Sequence, residues 1–444
     1  MAGLAKQVGG RAVSYLSVPR GRPPAFYESG HGTTKRYVDD PPLLASTTRM
    51  ALRTSLRPVE EQLSLVLSKL SARSAEVDLI PVDIHRAVQV GHDADGLADL
   101  VSRLAQAPEL AEFSGAMHSF GGGAMRITPE SLANWLVLRA HSSSPSAAVD
   151  SIWEYVTSTS LTMTAVVAVG GVEVAEPIDM GQGTWLIPWS ALSASSAKNS
   201  FDSSFLMSFA QRPRAALTRQ FVLPKQVVHD GEPHVYHSVD YHAHDDVLLL
   251  LTLVGPTSAF SVGYWVDPPH HAPIFGLGMT LPHIEGYSPS RQLLPEAGER
   301  VQQLSTQWTV LSPARRDELR VPISRLNSAM RRTSPVDAAI DLGIALESFF
   351  LSDQSGTQGE MSFRIRMRAA RWMGGTRADR ERISKLANRL YETRSKAVHT
   401  GRLGSKQNLQ EIQALLTSGF SLVADSIAKA LCGPAIDWEA VLLD

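Results

Sequence analysis

A single cysteine, Cys432, in 444 residues excludes an intramolecular disulfide and any zinc or iron–sulfur site built from several cysteines. Long apolar runs are also scarce. The most apolar stretch, Val247 to Val254, has the length of a strand and falls far short of the about 20 residues a membrane helix needs. Up to Arg22 no apolar segment of signal-peptide type appears, so a cytoplasmic protein with no membrane partner is expected. Neither sign of charge dominates: 42 Lys and Arg stand against 44 Asp and Glu, a net charge of −2, and the total points to no partner. Phosphate-loop, dinucleotide-loop, nucleophile-elbow and H-E-x-x-H signatures are all missing. With 43% hydrophobic and 19% charged residues, what remains is an ordinary globular chain, long enough for two to four domains.

The texture of the chain changes twice. The first 50 residues carry Gly, Pro and Arg without periodicity and read as an arm or irregular strands. An amphipathic helix is expected over Pro58–Arg73, a strand over Val77–Val82 and a helix near Leu97–Leu104, giving a mixed region over 1–150. Over 151–305 the pattern turns β-rich. Thr164 to Val169, Gly170-Gly171 and Val172 to Ala175 read as a hairpin, and Val247–Val254 and Phe260–Val266 as further strands of a sandwich-like domain. Over 312–435 helices follow one another. Ser334-Pro335 marks one start, Gly374-Gly375 and Gly401 mark two stops, and Leu409 to Leu431 carries a nearly unbroken apolar stripe. The expected fold class is therefore α+β and multidomain, with an all-α bundle at its C-terminal end.

That bundle concentrates the positive charge. Glu360 to Lys406 holds thirteen Lys or Arg against four acids, a field that attracts polyanions. Arg364, Arg368 and Arg371 recur at i, i+4 and i+7, near Phe363 and Trp372, as an RNA-contacting helix face would. A solvated surface face is the bland account of such a run taken alone.

Two charged residues interrupt apolar stripes. Arg394 stands in the series Ile383, Leu386, Leu390 and Ala397, and Glu347 in the series Val336, Ile340, Ile344 and Leu351. Buried charges need partners, so a two-point contact between Glu347 and Arg394 is expected. His399 follows Arg394 by five positions at a helix end, where the carbonyl end of the dipole favours a cation. An imidazole there can exchange a proton with a ribose 2′-hydroxyl or a leaving 5′-oxygen, and a guanidinium can stabilise the phosphorane charge. Five residues of regular helix turn the side chains about 140° apart. Convergence then needs a loosened last turn or, as the stronger expectation, a twofold dimer with one composite cleft.

The segments Ala338 to Phe350 and Leu390 to Gly401 resemble the HEPN domain superfamily, in its Apea-like branch, over about Arg320 to Leu431. The resemblance implies a dimerising helical bundle with metal-independent endoribonuclease activity, no cofactor, and a place in antiviral (antiphage) defence or toxin modules. It implies Arg394 and His399 as the catalytic pair, with Ser395 and Glu347 supporting. Lys396, Arg402, Arg364, Arg368 and Arg371 are the expected RNA contacts, and an unidentified trigger would act on the N-terminal half. Gly401 stands where one toxin branch has a tyrosine, so modification of that type is not expected.

Two rivals remain. Asp240 to His244 has the spacing of a metal hydrolase strand, and His234, His237, His242, His244, His270 and His271 are enough for a zinc site. Too little chain follows for the barrel that chemistry requires, and a polar strand surface accounts for the histidines without metal. The other rival is a HEPN bundle used only for dimerisation or binding, beside a ligand-sensing β-rich domain.

Overall fold

The computed structural model describes residues 55–74, 94–113, 116–120, 123–202, 212–229, 242–255, 257–274, 279–281, 291–353, 360–403 and 409–443. The chain divides between Arg49 and Met50, and every described residue belongs to the larger unit, Met50–Asp444. The expected arm over the first 50 residues and the strand expected at Val77–Val82 lie outside the described residues.

Helices α1 (Arg57–Ser74) and α2 (Ala94–Gln106) form where apolar spacing and an acidic first turn favour them. A 3-10 turn over Pro108–Phe113 leads to strands β1 (Met117–Phe120) and β2 (Gly123–Arg126). Helices α3 (Pro129–Ser142) and α4 (Pro145–Thr157) each open with a capping hydroxyl, Thr128 and Ser144, and a proline in the first turn. Leu63, Leu100, Phe113, Leu136, Ile152 and Tyr155 close one core among them.

The middle region is built on strands β3 (Ser160–Gly170), β4 (Val172–Val174), β5 (Ile178–Gly181) and β6 (Thr184–Pro188), helix α5 (Ser196–Asp202), then β7 (Ala215–Pro224) and β8 (Gln226–Val228). Helix α6 (His242–Leu251) and strands β9 (Phe260–Asp267) and β10 (Arg291–Leu293) complete it. Five of these strands make an antiparallel sheet in the order β5-β6-β7-β3-β9, while β1 pairs with β2 and β8. Alternation along β3 decides its two faces. Val167 and Val169 join the core shared with the C-terminal helices, and Val166 and Ala168 pack under Trp265, Phe201 and Leu192.

Two expectations change here. Gly170-Gly171 does not close a hairpin: β3 pairs with β7 and β9, whereas β4 leaves to pair in parallel with β10. Gly171 takes a φ of +78° beside the Ser258 carbonyl, which turns the chain away from the sheet rather than back along it. Val247 to Val254 is not a strand but the end of α6 and the turn after it. Its apolar residues have no polar phase because Val247, Leu248, Leu250 and Leu251 are all buried. The region is β-rich, as expected, with the five-stranded antiparallel sheet as its largest.

The C-terminal helices are α7 (Glu296–Val310), α8 (Pro313–Arg331), α9 (Pro335–Phe350), α10 (Met361–Met373), α11 (Arg377–Thr400), α12 (Leu409–Leu431) and α13 (Trp438–Leu443). Ser312, Ser334 and Thr376 cap α8, α9 and α11. Leu326, Leu342, Leu346, Leu390, Val423 and Ile427 meet in a core that continues without interruption into Val167, Leu217 and Leu251 beneath the sheet. The expected boundary between 305 and 312 thus falls inside a shared core: α7 lies on β5, and the Gln302 amide donates to the Asp179 carbonyl at 2.9 Å. The α12 segment is long and apolar enough to cross a membrane. Its length and apolarity are those of the central bundle helix it forms, with 61% of its most apolar window buried inside the protein.

A polar cluster lies in the N-terminal core. Lys225, between β7 and β8, donates to Glu112 Oε1 at 3.2 Å and to the carbonyls of Tyr155 and Val156 at 2.8 and 2.9 Å. His118, fully buried, donates through Nε2 to the Glu112 carbonyl at 3.3 Å and accepts at Nδ1 from the Tyr155 hydroxyl at 2.7 Å. Burial holds its imidazole down at about 4.

Candidate functional site on the C-terminal helices

Arg394 and Glu347 come together where α11 crosses α9. A guanidinium Nη2 donates to Glu347 Oε2 at 3.1 Å, with side chains only 24% and 22% exposed. The contact has one point rather than the expected two. Arg394 Nε and Glu347 Oε1 are both buried without a hydrogen-bond partner. Burial pushes the Glu347 carboxyl above the ordinary glutamate range, and Arg394 opposes that shift. The crossing is close because Gly343, one turn before Glu347, has no side chain: the Cβ, Cγ and Cδ of Arg394 occupy the space a methyl would fill.

The helix that carries Arg394 is regular to its end. Thr376 and Asp379 form a capping box at the start, and Gly401 closes it at φ +62° with its N–H donated to the Ala397 carbonyl at 2.9 Å. A loosened last turn is therefore absent, and helical geometry sets His399 about 140° around from Arg394. His399 is exposed, as are Lys396 and Arg402, while Ser395 is half-buried. Within one chain, then, Arg394 and Glu347 meet and His399 faces elsewhere.

The three arginines expected on one RNA-contacting face are drawn inward. Arg368 is 3% exposed; it donates to Asp353 Oδ1 and Oδ2 at 3.0 and 2.6 Å and to the Phe350 carbonyl at 2.7 Å. Its guanidinium also lies 5.2 Å from the centroid of Trp438. Arg364 binds Asp353 at 3.1 Å with its side chain 16% exposed, and Arg371 is half-buried. Trp372 donates to the Ser426 carbonyl at 3.0 Å. As an RNA contact Arg368 is corrected: it is buried, and both its Nη groups are engaged inside the bundle. Its i, i+4 spacing was legible, but Asp353, the carboxylate that turns the face inward, lies beyond α9 and no helical period reaches it.

Of the histidines considered for a metal, His234 and His237 lie outside the described residues, and nothing is described of the His242 side chain. His244 is buried in the first turn of α6, and His271 pairs with Glu154 at 3.2 Å. Among the described residues no three His, Cys, Asp or Glu side chains gather as a metal would require. Comparison of the chain with protein-family models, curated proteins and solved structures finds no match.

Proposed function

We propose that the C-terminal helices act as a metal-independent endoribonuclease, in two copies, with Arg394 and His399 as the reacting pair. The observation that carries the reading is Arg394: a half-buried guanidinium seated in a glycine notch and held by one carboxylate oxygen, on the same helix as an exposed imidazole. Glu347 engages one Nη2 donor of this guanidinium, and the partly exposed side chain can turn its remaining Nη donors to a phosphate oxygen. In this reading His399 of one copy takes the 2′-hydroxyl proton. The 2′-oxygen forms its bond to phosphorus as the 5′-oxygen leaves with a proton from the second imidazole, giving a 2′,3′-cyclic phosphate and a free 5′-hydroxyl. Arg394 stabilises the charge on the non-bridging oxygens. The resemblance to HEPN proteins supports the dimer, a cytoplasmic location and a role in antiviral defence or as a toxin.

Replacing His399 with Ala is expected to abolish RNA cleavage with the thermal midpoint unchanged, and cleavage by the intact chain is expected to persist in EDTA. Full cleavage by the His399→Ala chain rejects the assignment. The second reading, a bundle that only dimerises or binds, is favoured by the outward-facing His399 of a single chain. It predicts no cleavage by the unaltered protein at any chain concentration.

A further inference from the structure

The face of α10 opposite the inward arginines carries a feature that the reading above leaves unused. Phe363 is 51% exposed although it stands in the first turn of a well-packed helix. The guanidinium of Arg366 lies 5.2 Å from its ring centroid, and the Arg366 Nε is buried with no acceptor. Together with Glu360 and Ser362 these residues line an open cavity of about 440 Å³, within the size range of small-ligand pockets. Ser362 donates to Asn388 Oδ1 at 3.1 Å, which fixes the cavity against α11.

From Asn388 the helix leads to the candidate site. Asn388, Glu392, Ser395 and His399 follow at i, i+4, i+7 and i+11, one face of α11, and about 16 Å separates its ends at 1.5 Å per residue. Along one flank of that face Lys385, Arg389 and Lys396 are all exposed, within about 40° of one another around the axis. The cations suit a phosphate backbone. The cavity does not, because the Glu360 carboxylate is part of its lining. An aromatic face backed by a guanidinium, with acceptors at its rim, suits a planar base with N–H donors on its edge.

We propose that the cavity at Phe363 and Arg366 binds one unpaired nucleobase of a single-stranded RNA, whose phosphates run along Lys385, Arg389 and Lys396 toward His399. The proposal rests on the nuclease reading for its choice of RNA, and it makes the substrate single-stranded next to the cut. A base inside a duplex has no free face to offer Phe363.

The test is fluorescence anisotropy on the full chain with a labelled, unstructured 12-nucleotide 2′-O-methyl RNA, which binds but has no 2′-hydroxyl to react, and with the matching duplex. Phe363→Ala is expected to weaken single-strand binding about 10-fold, within the range for loss of one stacked base, and to leave duplex binding as it was. Phe363→Trp is expected to restore binding, and Phe363→Leu, apolar but without a π face, is not. Equal single-strand affinity for Phe363→Ala and the unaltered chain overturns the proposal. So do an equal loss on the duplex, full rescue by Leu, or no single-strand binding at all. A Phe363-dependent affinity in a protein that does not cleave would sink the nuclease and leave the pocket standing; cleavage indifferent to Phe363 would do the reverse.

Discussion

The aliphatic stem of Arg394 lies in the notch left by Gly343. A Cβ at Gly343 would come within 2.7 Å of the Arg394 Cβ and 3.1 Å of its Cδ, nearer still to Cγ, closer than side-chain carbons pack. Glycine costs a helix interior about 1 kcal/mol relative to alanine, and the close crossing is what accounts for it here. Gly343→Ala is expected to lose about 1–3 kcal/mol to overpacking despite its better propensity. It should also pull Arg394 off Glu347 and lower RNA cleavage at least 10-fold. Urea unfolding with a cleavage assay checks both; a stabilised, fully active Gly343→Ala chain would show that α11 moves aside freely.

Removing the guanidinium probes the same crossing electrostatically. Arg394→Ala leaves the Glu347 carboxylate without the charge that opposes its upward shift. A carboxyl whose folded pKa is raised contributes stability that is present below its unfolded value and lost as pH rises through the folded one. The Arg394→Ala deficit is therefore expected to be about 1–3 kcal/mol at neutral pH and to shrink below the ordinary value of 4.5. Glu347→Gln in the same background should recover stability without recovering cleavage. A deficit independent of pH would mean that Glu347 finds another partner.

How far the sequence was legible follows from which signals are local. The helices at Arg57–Ser74, Ala94–Gln106 and Arg377–Thr400 were visible because their apolar period, and for the last its capping Thr376 and stop Gly401, are local signals. Val247 to Leu251 was not: an apolar run buried all round has no phase, and a strand and a core helix then look alike. Gly170-Gly171 was misread for a related reason. Positive φ announces a turn, but whether the chain returns to its own strand or leaves for β10 depends on a partner more than 100 residues away. The same limit applies at the site. Glu347 and Arg394 stood out as charges in apolar stripes, while Gly343 and Asp353 gained meaning only once two helices met.

Arg368 belongs to the frame, and its loss should read as instability rather than weaker RNA binding. It ties Asp353 and the Phe350 carbonyl at the end of α9 to α10, under Trp438. Arg368→Met keeps the stem but removes the two-point contact to Asp353, which keeps Arg364, and takes the donor from the Phe350 carbonyl, so about 1–3 kcal/mol of stability is expected to go. Affinity for single-stranded RNA, measured well below the variant's unfolding midpoint, is expected to stay within twofold of the unaltered chain. A large loss of affinity with an unchanged midpoint would return Arg368 to the binding surface.

The N-terminal core should make the protein sensitive to acid through one side chain. His118 is fully buried beside Lys225 and His229, and its imidazole stays neutral down to about 4 against 6.5 for the free group. Between those two values the unfolded chain binds a proton that the folded chain does not. Stability is therefore lost as pH falls across that window, by up to about 3 kcal/mol if no other group intervenes. Glu112, raised by its own burial, works in the opposite sense at the acid end. Lys225 is lowered from its usual value by burial, against the pull of Glu112. Urea denaturation at a series of pH values, on the unaltered chain and on His118→Gln, separates the effect from the cost of substitution. The variant is expected to start less stable at neutral pH, because glutamine fills the ring's place between Phe113 and Tyr155 poorly, and then to lose less as the pH drops. Two curves that run parallel from neutral pH to about 4 would show that His118 takes up its proton alike in the folded and the unfolded chain and that acid sensitivity resides elsewhere in the molecule.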